Sequence, residues 1–140
     1  MILIVQTIQQ LIEQFVNTYD MSSFQDEAHF RTALSGFLSS NRVPNQEEVD
    51  VEIKGVGRYR CDIVARMGDE FIPIELKLNN TSIEEYEEDE KKSQQYVDVF
   101  PDVHYAFCVF VSNIEYVGYY QGQWRKCANG SEYQYLVLMF

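Results

Sequence analysis

The stretch Phe71-Ile72-Pro73-Ile74-Glu75-Leu76-Lys77-Leu78 decides the fold. In an extended strand successive side chains point to opposite faces, so Ile72, Ile74, Leu76 and Leu78 share one face and Phe71, Pro73, Glu75 and Lys77 the other. Glu75 and Lys77 therefore project together from a segment that otherwise reads as core. Pro73 cannot donate to a sheet ladder and belongs on an edge or at a strand start.

Working upstream, Tyr59 to Arg66 alternates Tyr59, Cys61, Ile63 and Ala65 against Arg60, Asp62, Val64 and Arg66. The short link Met67-Gly68-Asp69-Glu70 joins it to the Phe71 strand as a hairpin. Before it, Val49, Val51 and Ile53 alternate with Asp50, Glu52 and Lys54 in a further strand, closed by Gly55-Val56-Gly57. Earlier still, the period changes to that of a helix. Phe30, Leu34, Phe37 and Leu38 form a buried stripe, with Ser22 or Ser23 as its expected cap and Asp26 and Glu27 in its first turn. Ile4, Ile8, Leu11, Ile12 and Phe15 give a first helix ending near 17–20.

Downstream, Asn79-Asn80-Thr81-Ser82 is a turn and cap for a long helix from about Ile83 to Phe100, stopped by Pro101-Asp102. Tyr86, Val97 and Phe100 give that helix a buried side. Val103 to Ser112 is nearly all apolar or aromatic and reads as an interior strand covered on both faces. Two or three short strands follow within Tyr116 to Phe140. The expected architecture is α/β, an α+β mixed sheet, with an αβββαβ core over about 22–112, an extra N-terminal helix and a C-terminal β extension. No repeat or linker divides residues 1–140, so a single domain is expected.

Composition bounds the function. The chain has 140 residues, 46% hydrophobic and 14% aromatic, with seven Gly and three Pro, which excludes disordered, collagenous and low-complexity classes. Cys61, Cys108 and Cys127 contain no C-x-x-C pair, so neither a disulfide framework nor a zinc ribbon is indicated, and a reducing cytoplasmic setting is expected. No apolar run reaches the roughly 18 residues of a membrane span. The N-terminal segment lacks a basic n-region and carries Gln9, Gln10 and Glu13, so no targeting role is expected for it.

The formal charge of −11 argues against a nucleic-acid partner, because non-specific affinity comes largely from Lys and Arg neutralising phosphates. Much of that excess is local: Glu84-Glu85-Tyr86-Glu87-Glu88-Asp89-Glu90 holds six acids in seven residues. Arg58, Arg60 and Arg66 flank Asp62 and either hold phosphates or pair with Asp50 and Glu52 on the surface.

The element order places Glu27 in a leading helix, Asp62 in the second strand and Glu75-Leu76-Lys77 in the third. Glu27 lies on the buried stripe of its helix, where a carboxylate is costly unless paired, although the first turn also suits it to the helix dipole. Hard divalent cations choose oxygen ligands, usually one or two carboxylates plus substrate phosphate oxygens. A lysine two residues beyond a ligating Glu, on the same strand face, can orient or deprotonate the attacking water or stabilise charge gathering on phosphorus. An isolated E-x-K means little, but Asp62 and the Glu75-Leu76-Lys77 triplet spanning a hairpin between two helices is far more restrictive.

In these residues and this element order the chain resembles the PD-(D/E)XK, or restriction-endonuclease-like, nuclease superfamily over about Ser22 to Ser112. Cys61 stands where that pattern has its proline. The resemblance implies a Mg²⁺- or Mn²⁺-dependent phosphodiesterase, a DNA endonuclease first of all, with Asp62, Glu75 and Glu27 as metal ligands. The main-chain carbonyl of Leu76 is implied as a further ligand, and Lys77 as the group that assists the nucleophile. It also implies a polar residue from the following helix beside the site. Aligning Tyr96 with the Q-x-x-x-Y pattern of some relatives puts Lys92 where Gln is expected, whereas helical phase favours Gln94 over Gln95.

The implied partner is nucleic acid, with no membrane; so small a chain has little room for base readout, which would need a homodimer, a protein partner or a recognition surface in the aromatic C-terminal part. Tyr116, Tyr119, Tyr120, Trp124, Tyr133 and Tyr135 either stack on bases or pack in a core or subunit interface. His29 and His104 show no metal-ligand spacing and read as structural. A different class of function keeps the fold without catalysis: an acidic module that binds a basic protein surface through the Glu84 to Glu90 helix.

Overall fold

The computed structural model describes residues 2–78, 83–111, 123–125 and 135–139. The elements run α1 (Ile2–Thr18), a 3₁₀ turn (Met21–Ser23), α2 (Glu27–Ser40), β1 (Asn45–Ile53), β2 (Gly57–Met67), β3 (Glu70–Leu78), α3 (Ile83–Val99), β4 (Ala106–Val111), β5 (Gln123–Arg125) and β6 (Tyr135–Met139). It is an α+β fold around one mixed sheet in the order β1-β2-β3-β4-β6-β5. The β1–β2, β2–β3 and β5–β6 pairs are antiparallel, and β4 runs parallel to both β3 and β6. No helix among the described residues is long and apolar enough to cross a membrane.

Helices cover both faces of the sheet. On one face Ile8, Ile12 and Phe15 of α1 and Phe30, Leu34 and Leu38 of α2 pack on Ile63, Ile72, Ile74, Leu76, Phe107 and Val109. On the other, Tyr86, Tyr96 and Val97 of α3 pack on Ile53, Cys61, Ala106, Cys108 and Phe110. Every residue of β4 is buried because it is roofed on both sides, as its unbroken apolar sequence requires. Under α3 the Ser93 hydroxyl meets the Cys108 thiol at 3.2 Å, so the helix is seated on β4 by a polar contact as well as by packing.

Pro73 sits inside β3, yet the β3–β4 ladder starts only at Ile74↔Phe107. At Pro73 the side of the strand toward β4 is still an edge, where a missing N–H costs nothing. The preceding Phe71 N–H is instead taken by the Asp102 carbonyl at 3.1 Å.

The cap of α2 differs from the sequence expectation of Ser22 or Ser23. Asp26 is the N-cap, its carboxylate accepting from the His29 N–H at 2.8 Å, while the Ser23 hydroxyl donates to the Asp20 carbonyl at 2.6 Å inside the 3₁₀ turn. A carboxylate at the cap satisfies an orphan N–H and also meets the positive end of the helix dipole. The shift makes Glu27 the first residue of the helix proper. The expected turn at 79–82, Cys127, and Tyr116, Tyr119, Tyr120 and Tyr133 lie outside the described residues.

The β1–β2 hairpin turns over along its length. Near its start Asn45 and Glu47 face α2, bonding Ser35 and Arg31, whereas farther on Val51 and Ile53 join the cluster beneath α3. The change of face falls at Glu48, a non-glycine residue with φ of +51°, opposite Asp62 in the register between Glu47↔Ile63 and Val49↔Cys61. A left-handed residue inside a strand reverses the alternation at a strain of roughly 1–3 kcal/mol. Arg31 bonds Glu47 at 3.1 Å and Glu48 at 3.4 Å, so α2 clamps the hairpin where it turns.

Candidate active site

Asp62 is the residue on which the sheet opens. The β2–β3 ladder runs from Met67↔Glu70 to Ile63↔Ile74. One step beyond, the Asp62 carboxylate accepts the Leu76 N–H at 2.7 Å, so a side chain takes the place of a ladder carbonyl. This fixes the Asp62 side chain between the two strands, against the next residues of β3, Glu75 and Lys77.

Glu75 is only 2% exposed and points toward α3, opposite to the face on which Ile74 and Leu76 are buried. The Tyr96 hydroxyl donates to its carboxylate at 3.0 Å. Burial pushes the Glu75 carboxyl up to about 9, reinforced by the negative charges of Asp62 and Asp89 and opposed by Lys92 and the Tyr96 bond. In the metal-free protein at neutral pH this group is therefore protonated. Tyr96 is held as a phenol, its ionisation suppressed by burial and by the neighbouring Glu75.

Lys77, half-buried, lies two residues on. Burial lowers its basicity, but Asp89, Glu27, Asp62 and Glu85 act in the opposite direction and the net shift is upward. It is an ammonium, not a free base. Glu27, at the first turn of α2, is raised by burial and by Asp62 while Lys77 and Arg31 pull it down, which locates the α2 N-terminus at the same open end of the sheet.

α3 closes the group from the other side. Its buried stripe runs Tyr86, Asp89, Ser93, Tyr96 and Val97, at the spacing of one helical face. Asp89 is 2% exposed, with Oδ1 at 4.0 Å from the Lys92 ammonium and Oδ2 buried without a hydrogen-bond partner. Burial raises the Asp89 carboxyl to about 7 against the pull of Lys77 and Lys92. The Lys92 ammonium also lies 5.6 Å from the centre of the Tyr59 ring.

Among the residues singled out from the sequence, Glu27 and Lys77 act on one another, and Asp62 acts on Glu27, Lys77 and Glu75 alike. Leu76 buries its side chain among the α1 and α2 contacts, so only its main chain faces the site. Of the three α3 candidates, Lys92, Gln94 and Gln95, it is Lys92 that acts on Glu75, as does the Tyr96 hydroxyl one turn further along the helix. Gln94 is half-buried beside the stripe, and Gln95 carries a buried, unpartnered Oε1. Arg60 pairs with Asp50 at 3.2 Å and Arg58 with Glu52 at 3.9 Å, at exposed positions, while Arg66 donates to the Gly68 carbonyl. His104 lies 3.5 Å from Glu70, and His29 accepts from the Gln25 N–H.

No protein-family model matches this chain, and no curated protein matches it. One solved structure, of a protein of unknown function named AF1548, aligns at a TM-score of 0.47 and 17% identity over 59% of this chain. The aligned part spans 46% of that protein, less than half its length, and the likeness has no bearing on function.

The donor set offers a divalent cation suitable chemistry without a ready-made arrangement. Among the described residues no three His, Cys, Asp or Glu side chains stand ready-arranged around a metal position. Asp62 is turned to the Leu76 N–H and Glu75 to the Tyr96 hydroxyl. Yet Glu27, Asp62, Glu75 and Asp89 face two lysines, and Glu27, Glu75 and Asp89 hold their protons above the usual carboxylate range. Crowded, desolvated carboxylates are stabilised by protons or by a cation that replaces them. Oxygen donors of this type suit Mg²⁺ or Mn²⁺.

Asp89 and the Tyr96–Glu75 bond were not read from the sequence. Asp89 was hidden in a run of acids that looks like a solvated helix face. The signal that distinguishes it is its spacing of three, four and seven residues from Tyr86, Ser93 and Tyr96.

Proposed function

We propose that this chain is a metal-dependent nuclease of the PD-(D/E)XK type, hydrolysing phosphodiester bonds of nucleic acid, with DNA as the first substrate. One observation carries the reading. Carboxylates from α2, β2 and β3 and the Lys77 ammonium converge where the β2–β3 ladder gives way to the Asp62–Leu76 bond. A salt-bridged sheet face would need neither the interrupted ladder nor a buried Glu75.

On this reading Asp62, Glu75 and Glu27 hold Mg²⁺ or Mn²⁺, with the Leu76 carbonyl as a further oxygen donor. The bound cation supplies Lewis-acid polarisation of a phosphate oxygen and acidifies a coordinated water. Asp62 is pre-oriented by the Leu76 N–H, and Glu75 by the Tyr96 hydroxyl. To serve as an oxygen donor Glu75 would release its proton to solvent. Lys77, kept charged by Asp89, Glu27 and Asp62, orients the attacking water and stabilises negative charge on the phosphate oxygens. Cation binding also offsets the local negative charge that would repel a polyanion. Base readout would come from a second copy or a partner protein. A reducing, cytoplasmic setting suits the two buried free thiols, Cys61 and Cys108.

A second reading rests on Glu84, Glu85, Glu87 and Glu88, all exposed along α3, which suit an acidic module binding a basic protein. The test is cleavage of supercoiled plasmid, linear duplex, branched DNA and single strands with Mg²⁺, Mn²⁺ or EDTA, beside Asp62→Ala and Lys77→Ala. Metal-dependent cutting that both folded variants lose supports the nuclease. No cutting by wild type together with no heat of metal binding favours the acidic module.

A further inference from the structure

We infer that Asp89 is a positioning residue, a buried carboxylate that holds the Lys77 and Lys92 ammonium groups together beside Glu75, so that a substrate phosphate meets a pair of cations. The inference rests on the nuclease reading of the site, but part of its test does not.

Asp89 belongs to the acidic run of α3, yet its neighbours Glu84, Glu85, Glu87 and Glu88 are exposed and Asp89 is 2% exposed. Taking a carboxylate out of water is expensive, and the fold recovers the cost only through a cation or a full set of hydrogen bonds. Asp89 has no full set: Oδ2 is buried with no hydrogen-bond partner, and Oδ1 reaches the Lys92 ammonium only at 4.0 Å. An apolar residue would fill this place in the stripe of Tyr86, Ser93 and Tyr96 at lower cost. The retained charge points to a task in the site.

The groups around it name that task. Lys77 is the strongest charge acting on Asp89, followed by Lys92, Asp62 and Glu27, and Asp89 is in turn the strongest charge acting on Lys77. The two lysines come from different elements, β3 and α3: Lys92 stands 4.0 Å from the Asp89 carboxylate, and Lys77 acts on it through space. Lys92 is further confined by the Tyr59 ring at 5.6 Å, and it also acts on Glu75. Among the described residues Arg31 is held by Glu47 and Glu48, while Arg60 and Arg58 pair with Asp50 and Glu52 at exposed positions. Lys77 and Lys92 are the two cations that act on Asp89, and both long stems need an anchor to present their charge to a phosphate. With Oδ2 unpartnered, Asp89 has acceptor capacity left for the Lys77 ammonium when substrate draws it inward.

Asp89→Asn keeps the shape and removes the charge, and Asp89→Glu keeps the charge. With plasmid and Mn²⁺, Asp89→Asn is expected to lower kcat about 10- to 100-fold, the range found when a supporting partner of a site residue is removed. Calorimetric titration with Mn²⁺ alone is expected to give wild-type affinity, and Asp89→Glu to restore part of the rate. Amine acylation followed by mass spectrometry is expected to label Lys77 and Lys92 faster in Asp89→Asn than in wild type, with exposed Lys54 and Lys91 unchanged. Wild-type kcat and labelling in Asp89→Asn would overturn the inference. So would a loss of Mn²⁺ affinity as large as that of Asp62→Asn, which would make Asp89 a metal ligand. If wild type cuts no nucleic acid, the nuclease reading falls alone, and the labelling pattern still decides whether Asp89 holds the two lysines.

Discussion

The Asp62 carboxylate accepts the Leu76 N–H at 2.7 Å, one residue beyond the last rung of the β2–β3 ladder. One side chain thereby ends a strand pairing and fixes its own orientation between Glu75 and Lys77. The same group is thus both a structural acceptor and a candidate metal ligand, and these two roles are separable.

Asp62→Ala leaves the Leu76 N–H without its partner and is expected to destabilise the chain by about 1–3 kcal/mol. Asp62→Asn retains an acceptor oxygen and is expected to recover most of that stability but none of the metal-dependent cleavage. Urea unfolding beside the plasmid assay checks both halves.

Tyr96→Phe removes the donor that favours ionised Glu75, so the Glu75 carboxyl moves further upward. Mn²⁺ affinity is expected to fall more at pH 7 than at pH 9.5, because at the higher pH the proton competes less for Glu75, which is then largely ionised in the wild type and partly ionised in the variant. Isothermal titration at the two pH values reads the difference. Equal losses at both would mean that Tyr96 acts on the metal position by packing alone.

The metal-free chain is expected to lose stability as pH rises from about 5 to 9. Glu75 and Asp89 are raised in the folded protein, to about 9 and about 7, so the native state binds more protons than the unfolded chain across this window. Their favourable contribution is complete below the unfolded carboxylate range near 4 and is lost as pH passes first 7 and then 9. Urea unfolding in EDTA at pH 5.5 and 8.5 measures the slope, which a Glu75→Gln/Asp89→Asn double variant is expected to flatten.

Metal runs the linkage the other way. A divalent cation binds the ionised carboxylates, so its affinity is expected to rise between pH 6 and 9 with net proton release. Calorimetry of Mn²⁺ binding in buffers of different ionisation enthalpy counts the protons. Affinity that is flat in pH would show that Glu75 keeps its proton and is not a ligand.

Much of this was legible along the chain. The alternation of Phe71 to Leu78, the Gly68 turn and the helical stripe of Phe30, Leu34 and Leu38 specify their elements, because period and turn chemistry are local properties. They also fix that Glu75 and Lys77 share a strand face. The single alternation expected over Tyr59 to Arg66, by contrast, breaks at Asp62, with Tyr59 and Cys61 beneath α3 and Ile63 and Ala65 on the α1 and α2 side. Tertiary structure decided the rest. The sequence does not display the turnover of β1 at Glu48, because Arg31 of α2 stabilises it from outside the hairpin. It did not mark Asp89 apart from its acidic neighbours, since only docking of α3 on β4 selects which of those carboxylates is buried. Nor did it give the protonation of Glu75, which follows from lost water and from charges contributed by β2 and α3. Residue type and spacing determined the strands, the helices and the inventory of acids and lysines. The folded chain alone decided which of them share one desolvated space, because burial and electrostatic coupling depend on distances that only packing sets.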